Sequence, residues 1–286
     1  MPKKNLSSSG QTGPLSVGNV VSASLRIYRD HFKLYFGLAL VASLWVFVPI
    51  YGWAKYSAIL GLISRLAFGE VREKPETVSD ARREVNPRMW RFLGAGILTV
   101  LIYIGVYVAG TIAIAILAGG AAAIFGQNYV IIGALVVVAV IAFLIIYIRL
   151  LSRLLIVELP LAIENNIGAT SAIGRSWELT KGSVGRIQWI VFVGILVSLP
   201  LTIVGQILTT IVQSVLRAVL EPGSGMFYLV YFLLILPLSF GIGALVTPFW
   251  QAMKAIIYYD LRSRKEGFGL QIRDKKRNSN KPNTKK

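Results

Sequence analysis

The sequence predicts an all-α integral membrane protein of about six transmembrane helices, with three interfacial helices on the cytoplasmic side. Three observations predict it. Long apolar runs alternate with short charged stretches, and Lys and Arg crowd into every second connection. One pattern, a short amphipathic helix followed by a hairpin of two apolar helices, also recurs along the 286 residues. Composition agrees: 55% hydrophobic, 15% charged, mean hydropathy +0.65. No hydrophilic segment is long enough to bury a core of its own. The expected organisation is therefore a disordered amino terminus at 1–14, a single polytopic membrane domain at 15–260 and a basic cytoplasmic tail at 261–286.

Charge and cysteine usage narrow the function classes. A formal charge of +17 is compatible with nucleic-acid binding. In so apolar a chain its commoner cause is the positive-inside rule together with attraction to anionic lipid, so no nucleic-acid partner is expected. The absence of cysteine removes disulfides, thiolate metal sites and thiol nucleophiles. Residues 1–15, MPKKNLSSSGQTGPL, contain neither an apolar stretch nor a small-residue cleavage site, so a cleaved signal peptide is not expected.

Taken in order, Leu15–Asp30 reads as the first interfacial helix. Ser16 is its candidate N-cap, and Val17, Val20, Val21, Ser24, Leu25 and Tyr28 share a face that excludes Arg26 and Arg29. Phe32–Ile50 is the first apolar run, closed by Pro49 and the turn-like Tyr51-Gly52. Trp53–Phe68 is shorter than the about 20 residues of an ordinary span. Lys55 and Arg65 near its ends can snorkel to opposite interfaces, which allows a short span; a helix lying on the surface is the alternative. Gly69–Arg91 is hydrophilic, and Thr77-Val78-Ser79-Asp80 offers N-caps for a second interfacial helix over Ala81–Trp90, interrupted by Pro87.

Phe92–Leu117 and Tyr129–Leu151 carry no charge until Arg149 and read as clear spans, joined by the turn-rich GGAAAIFGQN. Ser152–Asn166 leads to the third interfacial helix within Ile167–Arg186, IGATSAIGRSWELTKGSVGR. There Ala172, Ile173, Trp177 and Leu179 alternate helically with Arg175, Ser176, Glu178 and Lys181, and Gly182 gives a C-cap signal. Two more spans follow. Ile187–Leu216 is bent near Pro200, and Met226–Ile257 is interrupted by Pro237, Gly241, Gly243 and Pro248.

Loop charge tests the count. With the amino terminus inside, segments 1–31, 69–91, 152–186 and 258–286 hold most of the Lys and Arg, whereas the outer turns carry only Lys55 and Arg217. Five spans would export one of those basic ends. The six sort into units Leu15–Glu70, Thr77–Glu158 and Gly168–Glu266. Each enters the membrane on basic and aromatic residues: Phe32-Lys33-Leu34-Tyr35, Trp90-Arg91-Phe92, and Arg186-Ile187-Gln188-Trp189. Each returns on arginine followed by glutamate, as in Arg65 and Glu70, Arg153 and Glu158, Arg262 and Glu266. A parallel threefold repeat is one reading; arginine placed at each return by the positive-inside rule alone is the other.

The residues that carry chemistry are few. The lone histidine, His31, lies at the rim of the first span, where a headgroup or water contact is expected rather than catalysis. No metal site or cofactor is expected, and no nucleophile–base pair or phosphate-binding glycine loop is visible. Gly241-x-Gly243 lies inside an apolar helix and suits close packing. The deep positions carry no expected charge, which argues against an ion-coupled pump. Gln206, Thr209, Thr210 and Gln213 share a helical face and either line a polar cavity or hydrogen-bond between helices. Glu158, in LLIVELPLAI, needs a partner, and Arg149 or Arg153 is near enough to form a structural clamp with it.

Two motifs carry a resemblance. Arg175-Ser176-Trp177-Glu178-Leu179-Thr180-Lys181-Gly182 and the closing Tyr258-Tyr259-Asp260-Leu261-Arg262-Ser263-Arg264-Lys265-Glu266-Gly267-Phe268 resemble the membrane domain of glycerophosphoryl diester phosphodiesterases and related bacterial six-helix membrane proteins. Leu15-Ser16-Val17-Gly18 with Tyr28, Phe32 and Lys33 is similar too. The resemblance implies the fold and a bacterial inner-membrane location. It implies no catalysis, which in those enzymes belongs to a separate soluble barrel.

The expected role is non-enzymatic. A basic cytoplasmic face would engage anionic lipid or a membrane or cytoplasmic protein partner, with both termini cytoplasmic. Candidate headgroup contacts are Arg26, Arg29, Lys33, Arg91, Arg175, Lys181 and Arg186. The alternative is a permease-like protein moving a small or lipidic substrate past Gln206, Thr210 and Gln213.

Overall fold

Ten α-helices and one 3-10 turn build the described residues, 15–126 and 128–267, of the computed structural model, with no strand among them. The expected disordered segment 1–14 and residues 268–286 of the expected tail lie outside the described residues. Four stretches are long and apolar enough to cross a membrane: Val78–Phe125, Tyr129–Ile163, Val184–Val219 and Gly225–Glu266. The architecture is all-α and multi-pass.

Helix α1, Val17–Asp30, starts where Ser16 accepts the Asn19 N–H at 3.2 Å. It buries Val20, Val21, Ser24, Ile27 and Tyr28. Leu25, expected on that face, is 48% exposed; it falls beyond one edge of the buried stripe, and Ile27 extends the other. Helix α2 runs only from Phe32 to Trp45, 14 residues, short of the expected Ile50. Proline clashes with the carbonyl four residues before it, and Trp45 stands at that position relative to Pro49. Residues 46–48 close instead on 3-10 bonds such as Val48 N–H to Trp45 O at 3.1 Å. Helix α3, Tyr51–Val71, is 21 residues long, about 31 Å at the α-helical rise.

Helix α4, Val78–Val85, is capped by Thr77, whose hydroxyl accepts the Asp80 N–H at 3.2 Å. Pro87 ends it through the 3-10 turn Asn86–Arg88, well before the expected Trp90. Helix α5, Met89–Phe125, then absorbs most of the expected GGAAAIFGQN turn, and α6, Tyr129–Arg153, starts at once after Asn128. Alanine favours helix, and in hydrocarbon a continued helix keeps every backbone group bonded. Helix α7, Glu158–Ile163, and α8, Ala169–Thr180, follow, with Gly182 at φ +82° turning the chain into α9, Val184–Val219. Helix α10, Gly225–Glu266, passes through Pro237 and Pro248 without ending. The tail is expected to begin at residue 261, yet α10 continues to Glu266 and Leu261 is buried, as are Tyr258 and Asp260 before it.

Helices α2, α3, α5, α6, α9 and α10 form a ring closed in chain order, with α10 returning to α2 and α3 touching α10 across it. The ambiguous α3 is thus enclosed by neighbours rather than laid on the outside, with Ala54, Ala58, Leu62, Ile63 and Ala67 buried. The three short amphipathic helices obey one rule. Each packs on the hairpin before its own: α4 on α3, α8 on α5 and α6, and α1 on α9 and α10. The packed core lies at the end of the ring where these helices sit, from Val20 and Ile63 to Leu159, Ile187 and Ile256. Away from that end α5, α6 and α9 expose Ile112, Ile116, Val138, Ile145, Ile207 and Ile211, as lipid-facing surfaces do.

Two glycines on this ring predict opposite outcomes. A Cβ at Gly52 would strike the Trp45 carbonyl oxygen and the Val48 side chain, whereas one at Gly96 meets nothing within 4 Å. Gly52→Ala is expected to destabilise the protein by about 1–3 kcal/mol through overpacking. Gly96→Ala should gain up to about 1 kcal/mol from helix propensity. Thermal unfolding in detergent checks both.

Candidate functional site

Charge gathers at the packed end because that is where the chain leaves the apolar layer. The segments 15–31, 69–91, 152–186 and 258–267, scattered in sequence, are tied together there. His31 Nε2 lies 3.5 Å from a Glu70 carboxylate oxygen, so the lone histidine meets α3 rather than only water or headgroups. Arg65 pairs with Glu76 at 2.7 Å and donates to Ala162 O at 2.8 Å. Arg88 donates to Leu161 O at 3.1 Å and Glu164 O at 2.8 Å. Both guanidiniums thus satisfy carbonyls at the carboxyl end of α7, where a helix leaves acceptors unpaired and carries partial negative charge.

An ionic knot joins α8 to the end of α10. Arg175 bonds Glu164 at 3.1 Å and also Glu266, while Arg262 bonds Glu266 at 2.8 Å and the Tyr258 hydroxyl donates to Glu164. Asp260 accepts the Leu15 N–H at 3.1 Å and pairs with Arg186, fastening α1 and α9 to α10. Arg175 and Arg186, expected to reach lipid headgroups, therefore face inward. The neighbouring carboxylates draw them there, since a half-buried guanidinium costs least when paired. Arg175 is paired with Glu164 and Glu266, whereas Arg186 reaches Asp260 through Nη2 and keeps Nε and Nη1 buried without a partner among the described residues. Trp177, expected on the apolar face of α8, is 46% exposed and lies under the Arg153 guanidinium at 4.4 Å.

The other headgroup candidates remain outside. Arg29, Lys33, Arg91 and Lys181 are exposed and Arg26 is half-buried. Arg29 pairs only with its neighbour Asp30, at 3.4 Å on the open surface, and Arg91 donates to Ile167 O at 3.3 Å. Among the described residues Arg26, Lys33 and Lys181 form no ion pair, nor do Arg82 and Arg83, exposed on α4. Those two arginines were not singled out from the sequence, although their place on the polar face of a capped helix signals them.

Glu158 has a different partner from the one its neighbourhood predicts. Lys254 of α10 reaches it at 3.1 Å and Ser64 of α3 at 3.3 Å, while Arg149 is exposed and Arg153 stacks on Trp177. The expected clamp with Arg149 or Arg153 is therefore not formed. On α6 those arginines point to the rim, and α7, turned back after 154–157, carries Glu158 inward. Ser64 also lies 3.0 Å from Gln251 Oε1. One hydroxyl proton cannot serve two acceptors. The set closes when the Gln251 amide donates to Ser64 Oγ and the Ser64 proton goes to Glu158. Lys254, three residues before the end of Met226–Ile257, is a charge within that apolar run, balanced by Glu158.

Beside this pair opens a cavity of about 320 Å³ between α3, α5, the 154–157 turn, α7 and α10. Leu60, Phe92, Val100, Leu154 and Leu155 make it mostly apolar, and Ser57, Thr99, Glu158 and Lys254 supply its polar groups. The polar stripe of α9 is divided. Gln206 and Thr209 line an open groove against Ser239 and Thr247 of α10. Thr210 turns back to the Gln206 carbonyl at 2.9 Å, and Gln213 is outside the lining.

Acid should loosen the knot. Arg175 lies on α8, and Glu266 is the last residue of α10, past Ile257 where its apolar run ends. Burial pushes the Glu266 carboxyl up, but hydrogen bonds from Arg262 and Arg175 outweigh it and hold the group below its ordinary value. A depressed carboxyl contributes stability that is complete above its unfolded pKa and is lost as pH falls through the folded value. Glu266→Gln is expected to flatten that acid-side loss in a pH series of melting curves. At the inner pair, Lys254→Met leaves Glu158 without its counter-charge and is expected to cost about 3 kcal/mol, largely recovered by adding Glu158→Gln. Comparison with known protein families finds no match to this chain, and comparisons with curated proteins and with solved structures find none either.

Proposed function

We propose that the protein is a non-enzymatic membrane protein of six spans, α2, α3, α5, α6, α9 and α10, arranged as three parallel modules. Its charged end lies on the cytoplasmic side of a bacterial plasma membrane and engages anionic lipid headgroups. The observation that carries this reading is the group of cations Arg26, Lys33, Arg82, Arg83 and Lys181, which form no ion pair among the described residues and lie at one end after the internal ion pairs are formed. Juxtamembrane cations each gain about 1 kcal/mol at an anionic surface. The ring closed in chain order, with each short helix seated on the preceding hairpin, supports the threefold repeat. The motif residues that resemble the membrane domain of glycerophosphoryl diester phosphodiesterases fit the same reading, since Arg175, Tyr258, Arg262 and Glu266 meet in one knot.

Replacing the five cations with glutamine is expected to lower the preference for phosphatidylglycerol over phosphatidylcholine. Spin-labelled lipid around the reconstituted protein reads the change, about fivefold for each cation that meets a headgroup. An unchanged preference removes the lipid reading. Accessibility tags at both termini should report the cytoplasm and a tag beside Glu221 the opposite side; termini in different compartments would defeat the six-span arrangement.

A further inference from the structure

We propose that the cavity beside Glu158 and Lys254 holds the head of an electrically neutral lipid that both donates and accepts hydrogen bonds. The charge balance selects the class. Glu158 and Lys254 cancel at 3.1 Å, so the site offers no net attraction to an anionic or cationic head. Hydrogen-bonding capacity is left over. The Lys254 ammonium has three protons and gives one to Glu158. Glu158 takes both of its bonds, from Ser64 and Lys254, on Oε1. Thr99 Oγ1 is buried with no partner among the described residues. Spare donors and acceptors therefore converge on one cavity, the arrangement that fixes a small polar group in a mostly apolar pocket.

The surroundings favour lipid over water alone. The α5 wall runs from Phe92 to Tyr103. Counted from Met89 at the charged end, that wall reaches about 21 Å along the helix, from headgroup depth toward mid-bilayer. Gly96 and Val100 form part of it and are exposed on the outer face of α5, so an acyl chain can leave sideways into the membrane. Two lipid types share the required chemistry: one with a free glycerol hydroxyl, and one with a zwitterionic phosphoethanolamine head. The proposal is independent of anionic lipid at the charged end.

The test uses the full chain, delipidated in detergent and mixed with phosphatidylethanolamine, diacylglycerol or phosphatidylglycerol, with retained lipid read by native mass spectrometry. One neutral lipid is expected to stay bound, and whichever of the two it is names the source. Gly96→Leu fills the opening where a Cβ meets nothing within 4 Å. It should keep the melting temperature and cut retention at least about tenfold, and Thr99→Val should weaken it about fivefold through one lost hydrogen bond. Retention of no lipid, preference for phosphatidylglycerol, or equal retention by both variants overturns the proposal.

Discussion

A charge carried below the rim of an apolar bundle must bring its counter-charge with it, and this constraint shapes the packed end of the protein. Isolated, an ion in that layer costs several kcal/mol; paired and hydrogen-bonded, it becomes a tie between helices. The tie between Glu158 and Lys254 joins α7 to α10 at 3.1 Å, and Asp260 joins α1, α9 and α10. The last turns of α10 are therefore the post to which the other elements are bound. The turns just before them bury Ala252, Met253, Ile256 and Ile257 almost completely, and Tyr258 with them.

Packing grades from that end outward. Near the knot, small residues such as Ala58 and Ala67 on α3 and Ala252 and Ala255 on α10 are buried where the two helices meet, as expected of backbones brought close. Farther along, α5, α6 and α9 turn large aliphatic side chains outward, and the seam between α6 and α9 is the sparsest in the ring. The cavity lies between these regimes. It has rigid polar groups at its floor, held by Ser64 and Gln251, and an apolar wall that reaches the membrane-facing side.

The two motifs that carried the family resemblance have a physical explanation here. Arg175 and Ser176 of the first, and Tyr258, Asp260, Arg262 and Glu266 of the second, build the contacts that hold α8, α9 and α1 against α10. Ser176 donates to Arg153 O at 2.7 Å and Thr180 to the same carbonyl at 3.4 Å, joining α8 to the end of α6. These residues keep the charged end assembled.

The sequence by itself determined the helical class, the apolar runs and the segments that carry charge, because periodicity and hydropathy are local properties. It also located Ser16 and Thr77 as caps, which act within one turn. Near-neighbour inference failed where partners lie far apart. Glu158 was matched to arginines within ten positions, yet its ion partner is Lys254, 96 residues on. Arg175 and Arg186 looked like surface cations because the only pairing visible locally is Arg175 with Glu178, three residues on; Glu266 and Asp260 reach them only once α10 returns through the ring. Only the tertiary structure decided which charges face inward, since that choice depends on which carboxylates the closed ring brings within hydrogen-bonding distance.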